Sequence, residues 1–240
     1  MAKIVLLGSS SELGNHLANE FMNRHKDSYD KILYVGRDSE LSDICWKPNE
    51  LDLIEIQTLV DKLSIEKNDL IIFAFAKFIP GILSDQEIKS EVGEINETLM
   101  VSGVVPTLLF LEIFNKLCML KGGRIVVYSS IAAKPVLNSN LFYGASKNLL
   151  DQIVEGHFKV AANSSVLISL VRPGFVATHL NRNRKKTALS TTKSTVTRKI
   201  MKSQQSEVIW VPQPLKYLSY LLQMFNFLKA IANKKIQDSF

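Results

Sequence analysis

Short apolar runs rich in β-branched residues alternate along the chain with longer segments in which apolar positions recur at helical spacing. Each run is nearly continuous in apolar side chains, which is typical of strands covered on both faces of a parallel sheet. The alternation predicts an α/β fold, a doubly wound parallel sheet with helices on both faces. The predicted strands are Lys3–Leu7, Lys31–Val35, Leu70–Phe75, Arg124–Ser129, Val166–Val171 and Val208–Val211, with a weaker strand that ends near Glu50-Leu51-Asp52. The predicted helices include Leu13–Arg24, Glu94–Leu120 and Tyr143–Ala162.

The 240 residues show no internal repeat and no linker that would divide them, so a single domain over residues 1–240 is expected. The apolar run at the N-terminus is too short for a signal peptide, which favours a cytoplasmic protein. Cys45 and Cys118 lie far apart, and we expect two reduced core residues without a disulfide. The four histidines lack metal-ligand spacing, so no metal site is predicted.

The formal net charge of +6 is unevenly distributed. Residues 179–206, which we call the basic segment, contain eight Lys and Arg residues and no acidic residue, whereas the rest of the chain is slightly acidic. This composition predicts a mobile loop with room for one helix, and it favours an anionic small molecule over nucleic acid as the partner. A solvated loop without a ligand is the alternative.

The C-terminal tail, residues 213–240, is strongly apolar over Pro214–Ile231. Only twelve residues separate Lys216 from Lys229, too few to span a bilayer. A core helix or a subunit-contact helix is the favoured interpretation, and a helix lying on a membrane surface is the alternative.

A loop rich in glycine and serine, Gly8 to Gly14, follows the first strand and opens the first helix. Glycines at such a turn allow the backbone to approach a pyrophosphate, and the helix N-terminus favours negative charge. This position predicts a dinucleotide site of Rossmann type, although an ordinary strand-to-helix turn has the same composition. The residues expected to hold the phosphates are Gly8, Ser10, Ser11, Leu13 and Gly14.

Arg37 follows the second strand, where dinucleotide sites place either an acidic residue for the free ribose hydroxyls or an arginine for a 2′-phosphate. Arg37 therefore favours NADP over NAD. A solvated loop arginine is the alternative.

Tyr143 and Lys147 lie four residues apart in Tyr143-Gly144-Ala145-Ser146-Lys147, which places them on one face of a helix. Unperturbed tyrosine has a pKa of about 10, too high for proton exchange at neutral pH. A neighbouring ammonium favours phenolate and lowers that pKa, so Tyr143 is predicted to exchange a proton with a carbonyl oxygen.

Three ordered motifs together resemble the short-chain dehydrogenase/reductase family. They are the loop Gly8–Gly14, the Tyr143–Lys147 pair with Ser130 thirteen residues before it, and Arg172-Pro173-Gly174-Phe175-Val176-Ala177-Thr178. The resemblance implies that Ser130 fixes the substrate oxygen, with Ser129 as the adjacent alternative. It also implies that four residues embrace the nicotinamide carboxamide, namely Pro173, Gly174, Val176 and Thr178.

At other family positions this chain either resembles the family pattern or departs from it. Asp52 and Leu53 resemble the pair that contacts adenine. Glu12 replaces a glycine of the phosphate loop and is expected to point away from the pyrophosphate. The family's Asn-Asn-Ala-Gly segment becomes Phe73-Ala74-Phe75-Ala76, and the backbone of Ala74, Phe75 and Ala76 would still flank the cofactor. Asn96 is the candidate for the family's catalytic asparagine, although counting back from Ser130 points to Met100 or Ser102.

In several details the chain is similar to the decaprenyl-phosphoryl keto-sugar reductases. These are Ser11-Glu12-Leu13-Gly14, Ala74-Phe75-Ala76, Glu94-Ile95-Asn96, and Glu207–Pro212 before an apolar tail. The similarity implies an NADPH-dependent reductase of an anionic, lipid- or nucleotide-linked keto-sugar, working as a homodimer or homotetramer, either in the cytoplasm or at the inner membrane face. A reductase of small ketones, steroids or acyl thioesters and a non-catalytic cofactor-binding scaffold remain the alternatives.

Overall fold

The computed structural model describes residues 1–47, 53–79, 89–135, 140–178 and 190–237, with side chains in the last range described as far as Phe225. Seven parallel strands form one sheet in the order β3-β2-β1-β4-β5-β6-β9, which confirms the predicted doubly wound architecture. The strands of the sheet are β1 (Ala2–Leu7), β2 (Tyr29–Gly36), β3 (Ile44–Cys45), β4 (Leu70–Phe73), β5 (Gly123–Tyr128), β6 (Val166–Pro173) and β9 (Glu207–Val211). A separate two-stranded pair joins β7 (Phe175–Val176) to β8 (Ser190–Thr191).

Helices cover both faces of the sheet, as the continuous apolar runs predicted. They are α1 (Glu12–Arg24), α2 (Leu53–Lys62), α3 (Val92–Leu99), α4 (Val105–Leu120), α5 (Leu141–Gly156), α6 (Phe158–Asn163), α7 (Lys193–Lys202) and α8 (Pro214–Gln237). On one face, α2, α4 and α5 bury side chains such as Leu59, Phe110 and Leu150 against the sheet. On the other, α1 and α7 bury Leu17 and Ile200.

The predicted helix Glu94–Leu120 is interrupted. A π-helical turn, Met100–Val104, separates α3 from α4. At this turn the buried Ser102 hydroxyl accepts a hydrogen bond from the Lys77 backbone N–H at 2.8 Å and donates one to the Lys77 carbonyl at 2.7 Å. Apolar periodicity cannot show such a turn, because its cause is a polar side chain that reaches another segment.

The sheet edge also differs from the prediction. The third strand is the two-residue β3, and the expected strand end at residues 50–52 lies outside the described residues. Cys45 is exposed, not a core residue, because it lies on this edge strand, and Cys118 is partly buried. Both are free thiols, as predicted.

The basic segment contains more regular structure than a mobile loop. Residues 190–202 form β8 and α7, and α7 buries Val196 and Ile200 completely against α1 and the sheet. Arg124 of β5 also donates a hydrogen bond to the Ile200 carbonyl at 2.5 Å. The sequence allowed one helix in this segment, and α7 is that helix, held against the sheet by two apolar side chains one helical turn apart. Residues 179–189 of the segment lie outside the described residues.

Helix α8 joins the body of the protein by its first turns. Leu215 and Ser219 are buried, and the Ser219 hydroxyl donates to the Lys134 carbonyl at 2.7 Å. The next apolar side chains are largely exposed, so the described part of α8 is not a core helix, while the subunit-contact helix of the same interpretation stays a prediction. The most exposed are Tyr217, Tyr220, Leu221, Met224 and Phe225.

The continuous helical stretch 92–120 is long and apolar enough to cross a membrane by length and composition. More than half of its apolar window is buried inside the protein, as expected of a core helix. It therefore carries no argument for a membrane span.

Candidate active site

One cavity of about 1220 Å³ opens at the edge of the sheet where the parallel strands end. Ligands of open α/β sheets bind at this edge, and the volume exceeds the ~300–1000 Å³ typical of pockets for drug-sized molecules. The cavity brings together most of the residues that the sequence singled out. Those that line it are Gly8, Ser10, Ser11, Leu13, Arg37, Ala74, Phe75, Ala76, Ser130, Tyr143, Lys147, Pro173, Gly174, Val176 and Thr178.

Three predicted cofactor-binding positions do not line the cavity or cannot be placed there. Gly14 is buried behind the loop, where an added Cβ would lie 2.6 Å from the Cβ of Ala74. Asp52 lies outside the described residues. Leu53 begins α2, and its side chain likewise lies outside the described residues.

The phosphate loop has the geometry that its glycines predicted. Gly8 has a φ of +108°, and an added Cβ would lie 2.9 Å from the backbone of Ala74 and Phe75. A side chain there would therefore push the loop away from β4. Ser11 is the N-cap of α1, its hydroxyl accepting from the Gly14 N–H at 3.1 Å. The loop thus presents the N-terminus of α1 to the cavity, an arrangement that favours bound anions.

Glu12, which stands where the family pattern has glycine, also borders the cavity. Its carboxylate lies 3.0 Å from the ammonium of Lys193, the first residue of α7. Beside this pair, the Ser194 hydroxyl lies 3.4 Å from Nε2 of His16 in α1. The negative charge that would repel a phosphate is therefore balanced by a lysine from the basic segment.

Arg37 belongs to a network of charged side chains at the end of β2. Its Nη1 lies 2.6 Å from Oε1 of Glu97, and the Lys77 ammonium lies 2.8 Å from Oε2 of the same carboxylate. Lys77 also pairs with Glu94 at 2.7 Å. The Lys77 and Arg37 hydrogen bonds hold the pKa of Glu97 below its usual value. Arg37 thus reaches the cavity already paired with a protein carboxylate.

Tyr143 and Lys147 lie on the cavity wall, one turn apart on α5. Burial lowers the pKa of Lys147 to about 8, while the carboxylate of Asp151 opposes that shift. The Lys147 ammonium donates to the Tyr128 carbonyl at 3.1 Å. The ring of Phe78 packs edge-on against Tyr143, with 5.1 Å between the ring centroids.

The pKa of Tyr143 differs from the sequence prediction. Burial raises it to about 12, although the hydrogen bond from Ser130 lowers it. The prediction of a lowered value considered only the nearby ammonium and not the loss of water around the phenol. A tyrosine with this pKa is protonated at neutral pH, which suits a proton donor.

The two adjacent serines at the end of β5 have different surroundings. Ser130 caps a short 3₁₀ turn, Ile131–Ala133, accepts from the Ala132 N–H at 3.1 Å, and hydrogen-bonds Tyr143. Ser129 is buried near Asp151, where burial raises the pKa of the carboxyl while Arg172 and Ser129 oppose that shift. The geometry favours Ser130 as the serine that works with Tyr143.

Asn96 is not brought to the site. It lies on the exposed face of α3 and does not line the cavity. The π-helical turn places Ser102 behind the cavity wall instead, bonded to both backbone polar groups of Lys77. The interval counted back from Ser130 was the sequence signal that pointed there.

Other residues of the cavity wall carried no sequence signal. They come from the loops after β3 and β4, from the π-helical turn and α4, from the segment before α5 and from α8, and they include Trp46, Lys47, Phe78, Val101, Val105, Lys134, Pro135, Leu218 and Leu222. Single apolar or basic residues on unrelated elements form no motif, so only the fold brings them together. Within the described ranges no group of three or more His, Cys, Asp or Glu side chains could hold a metal ion.

Comparison with known proteins agrees with this site. Residues 82–189 match the family model described as short chain dehydrogenase. An uncharacterised oxidoreductase of Mycobacterium tuberculosis is 28% identical over 104 residues, a stretch that covers 42% of this chain and 42% of the relative. The match thus spans less than half of that protein's length.

Solved structures share the fold over nearly the whole chain. A short-chain dehydrogenase from Burkholderia cenocepacia in complex with NADP superposes with a TM-score of 0.70 at 16% identity, over 92% of each chain. A short-chain dehydrogenase from Streptomyces avermitilis gives a TM-score of 0.71 at 15% identity, over 100% of this chain and 98% of the other. Residues 82–189 therefore resemble short-chain dehydrogenases in sequence, and the whole chain shares the fold of these two solved structures.

Proposed function

We propose that this protein is an NADPH-dependent reductase that converts a carbonyl to an alcohol. The observation that carries the proposal is the arrangement of Ser130, Tyr143 and Lys147 on the wall of a cavity that the phosphate loop also lines. Nucleotide binding and proton donation then take place in one enclosed space. A non-catalytic scaffold would need only the first of these.

The residues present fit a nicotinamide dinucleotide. The backbone around Gly8 leaves room that a Cβ would fill, and the N-terminus of α1 faces the same cavity. The phosphate loop would hold the pyrophosphate, Arg37 a 2′-phosphate, and the turn Pro173-Gly174 the nicotinamide end. When bound, the reduced nicotinamide supplies a hydride to the carbonyl carbon.

The chain's own residues handle the carbonyl oxygen. Ser130 donates a hydrogen bond that orients this oxygen, and Tyr143 delivers its proton as negative charge develops there. With its pKa raised to about 12, Tyr143 carries the proton at neutral pH and can donate it to the carbonyl oxygen. Lys147, while protonated, stabilises the phenolate that remains.

The substrate is proposed to carry an anionic group. Thr178 borders the cavity, and four basic residues of the basic segment lie within eight residues after it in sequence, namely Arg182, Arg184, Lys185 and Lys186. Lys134 also lines the cavity. A phosphorylated or nucleotide-linked keto-sugar, as the resemblance implies, has the complementary charge.

A second substrate class is favoured by apolar residues that line the same cavity. The apolar lining includes Phe78, Val101, Leu218 and Leu222, and Phe78 packs against Tyr143. This lining suits small ketones, steroids or acyl thioesters, and it equally suits the apolar part of a lipid-linked sugar.

Oxidation of NADPH, followed at its absorbance maximum, tests the proposal against a panel of carbonyl compounds. The panel contains phosphorylated keto-sugars, nucleotide-linked keto-sugars, neutral ketones and acyl thioesters at matched concentrations. We expect turnover with NADPH and a preference for the anionic members. A protein that binds NADPH but turns over no member of the panel would contradict the proposal and favour the non-catalytic cofactor-binding scaffold.

A further inference from the structure

A row of charged side chains continues along α5 beyond the proposed catalytic pair. Tyr143, Lys147, Asp151 and Glu155 follow one another at four-residue intervals and so share one face of the helix. Lys147 and Asp151 are buried, with exposures of 2% and 0%. A carboxylate without water in this position needs a partner, because an isolated buried charge is very costly.

The partner is Arg172, at the end of β6. Its Nε lies 2.7 Å from Oδ2 of Asp151, and its Nη2 donates to Glu155. The Arg172 guanidinium also stacks on the ring of Trp210, 4.8 Å from the centroid, and only 3% of the residue is exposed. Arg172 directly precedes Pro173 and Gly174 of the cavity wall, so the ion pair joins α5 to this turn.

We propose that Asp151 is a positioning residue that keeps the Lys147 ammonium charged, and that Arg172 couples this carboxylate to the Pro173-Gly174 turn. The inference rests on the proposed function insofar as Lys147 serves the reaction. Asp151 acts on Lys147 through the low-dielectric interior, where charge interactions are stronger than in water. Nothing in the family resemblance assigns a role to this position.

Tyr128 and Tyr143, titratable groups near Lys147 on β5 and α5, do not supply the negative charge that Asp151 supplies. From β5, Tyr128 offers its carbonyl, and its own hydroxyl is buried with a raised pKa. From the helix itself, Tyr143 has its pKa raised to about 12 and is neutral.

The remaining carboxylates near α5 are committed elsewhere. Glu155 pairs with Arg172 and with the Lys134 ammonium at 2.8 Å. On α3, Glu94 and Glu97 pair with Lys77. Among the described residues, Asp151 is thus the carboxylate whose charge acts on Lys147.

The experiment compares two variants that each remove one carboxylate from Arg172. Asp151→Asn keeps the shape of the side chain and an acceptor for the Arg172 Nε, and Glu155→Gln is the matched control. The readout is the pH titration of the Lys147 side chain, followed by the ¹³Cε resonance in protein labelled on lysine and assigned with Lys147→Arg. It requires neither cofactor nor turnover.

We expect the Lys147 midpoint to fall by about one pH unit or more in Asp151→Asn. Glu155→Gln should leave it unchanged. The double variant Asp151→Asn/Arg172→Gln also removes the buried guanidinium that would lose its partner, and it should still show a downward shift even if the single variant folds poorly. An unchanged midpoint in both Asp151 variants, or an equal shift in Glu155→Gln, would overturn the proposal.

Turnover separates this inference from the proposed function. If the native protein reduces carbonyls, the alkaline limb of its rate profile should move to lower pH in Asp151→Asn and stay in place in Glu155→Gln. A shifted Lys147 titration in a protein without reductase activity would leave the coupling intact and refute the proposed function. An unshifted titration in an active reductase would refute the coupling alone.

Discussion

The guanidinium of Arg37 lies 2.6 Å from the carboxylate of Glu97, so the residue expected to recognise a 2′-phosphate already has a partner in the protein. The same carboxylate is held by Lys77 at 2.8 Å. A 2′-phosphate can therefore take over Arg37 without leaving Glu97 unpaired. This exchange also means that part of the attraction of Arg37 for the phosphate is offset by the loss of the Glu97 contact.

Arg37→Ala should remove most of the preference for NADPH over NADH. A hydrogen bond to a charged group contributes roughly 1.5–3 kcal/mol, which corresponds to about tenfold or more in affinity. Glu97→Gln should instead strengthen NADPH binding modestly, because the competing carboxylate is gone while Lys77 keeps its ion pair with Glu94. Fluorescence titration gives the dissociation constants for NADPH and NADH, and their ratio is compared between each variant and the native protein.

Arg24→Ala is the matched control for this pair, because Arg24 is also an exposed arginine paired with a glutamate, Glu20, on α1. The ratio of its dissociation constants for NADPH and NADH should equal that of the native protein. Equal affinity of the native protein for NADPH and NADH would refute the assignment of Arg37.

Lys193→Met should weaken the binding of NADPH and NADH alike, because the Glu12 carboxylate beside the phosphate loop would lose the ammonium that lies 3.0 Å from it. The double variant Lys193→Met/Glu12→Gln should restore binding. Lys199→Met serves as control, since Lys199 on the same helix bonds Gln213 and not the loop. Isothermal titration with both cofactors checks the set, and unaltered affinity in Lys193→Met would show that Glu12 does not face the bound phosphates.

Ser102→Ala should destabilise the fold, because the Lys77 N–H and carbonyl would both lose their partner. Leaving a buried polar group unsatisfied costs about 1–3 kcal/mol, and urea unfolding measures the difference. Asn96→Ala should leave both stability and turnover unchanged, since Asn96 is exposed and outside the cavity. A loss of turnover in Asn96→Ala would show that Asn96 belongs to the active site after all.

The exposed apolar side chains of α8, which we call the outward stripe, give a prediction about membrane binding. The stripe includes Tyr217, Tyr220, Leu221 and Phe225, close to Leu218 and Leu222 of the cavity wall. Each basic residue near an anionic membrane surface adds roughly 1 kcal/mol to the free energy of binding. We expect co-sedimentation with anionic liposomes at low salt and release at high salt, and Leu221→Asp should reduce it. A protein that ignores anionic liposomes at low salt and elutes as an oligomer would instead cover the stripe with a second copy.

The strands and the order of elements could be predicted because continuous β-branched runs have few other structures available to them. The strands predicted at Lys3–Leu7 and Val208–Val211 were each short by one residue at the N-terminal end. The short β3 could not be predicted, because two residues at a sheet edge leave no periodic signal. The Ser102 contact at the π-helical turn and the Arg124 hydrogen bond to α7 come from single polar residues whose partners lie 25 and 76 residues away in sequence.

The candidate site was predictable where its residues stand at fixed spacing. Tyr143, Lys147 and Ser130 fall within eighteen residues of chain, and the cavity gathers all three. The pKa of Tyr143 was not predictable, because burial is a property of the folded protein and outweighs the local charge. Pairs such as Arg37 with Glu97 and Glu12 with Lys193 join distant segments, so only the structure shows them.

The central claim is that Tyr143 donates the proton while the cofactor transfers hydride, and the variant Tyr143→Phe tests it most directly. Phenylalanine keeps the ring that packs against Phe78 and removes only the hydroxyl. The measurement is the rate of carbonyl reduction at saturating NADPH, together with the dissociation constant for NADPH in the same protein. The account predicts that turnover is abolished while the dissociation constant changes little. Substantial turnover in Tyr143→Phe would contradict it.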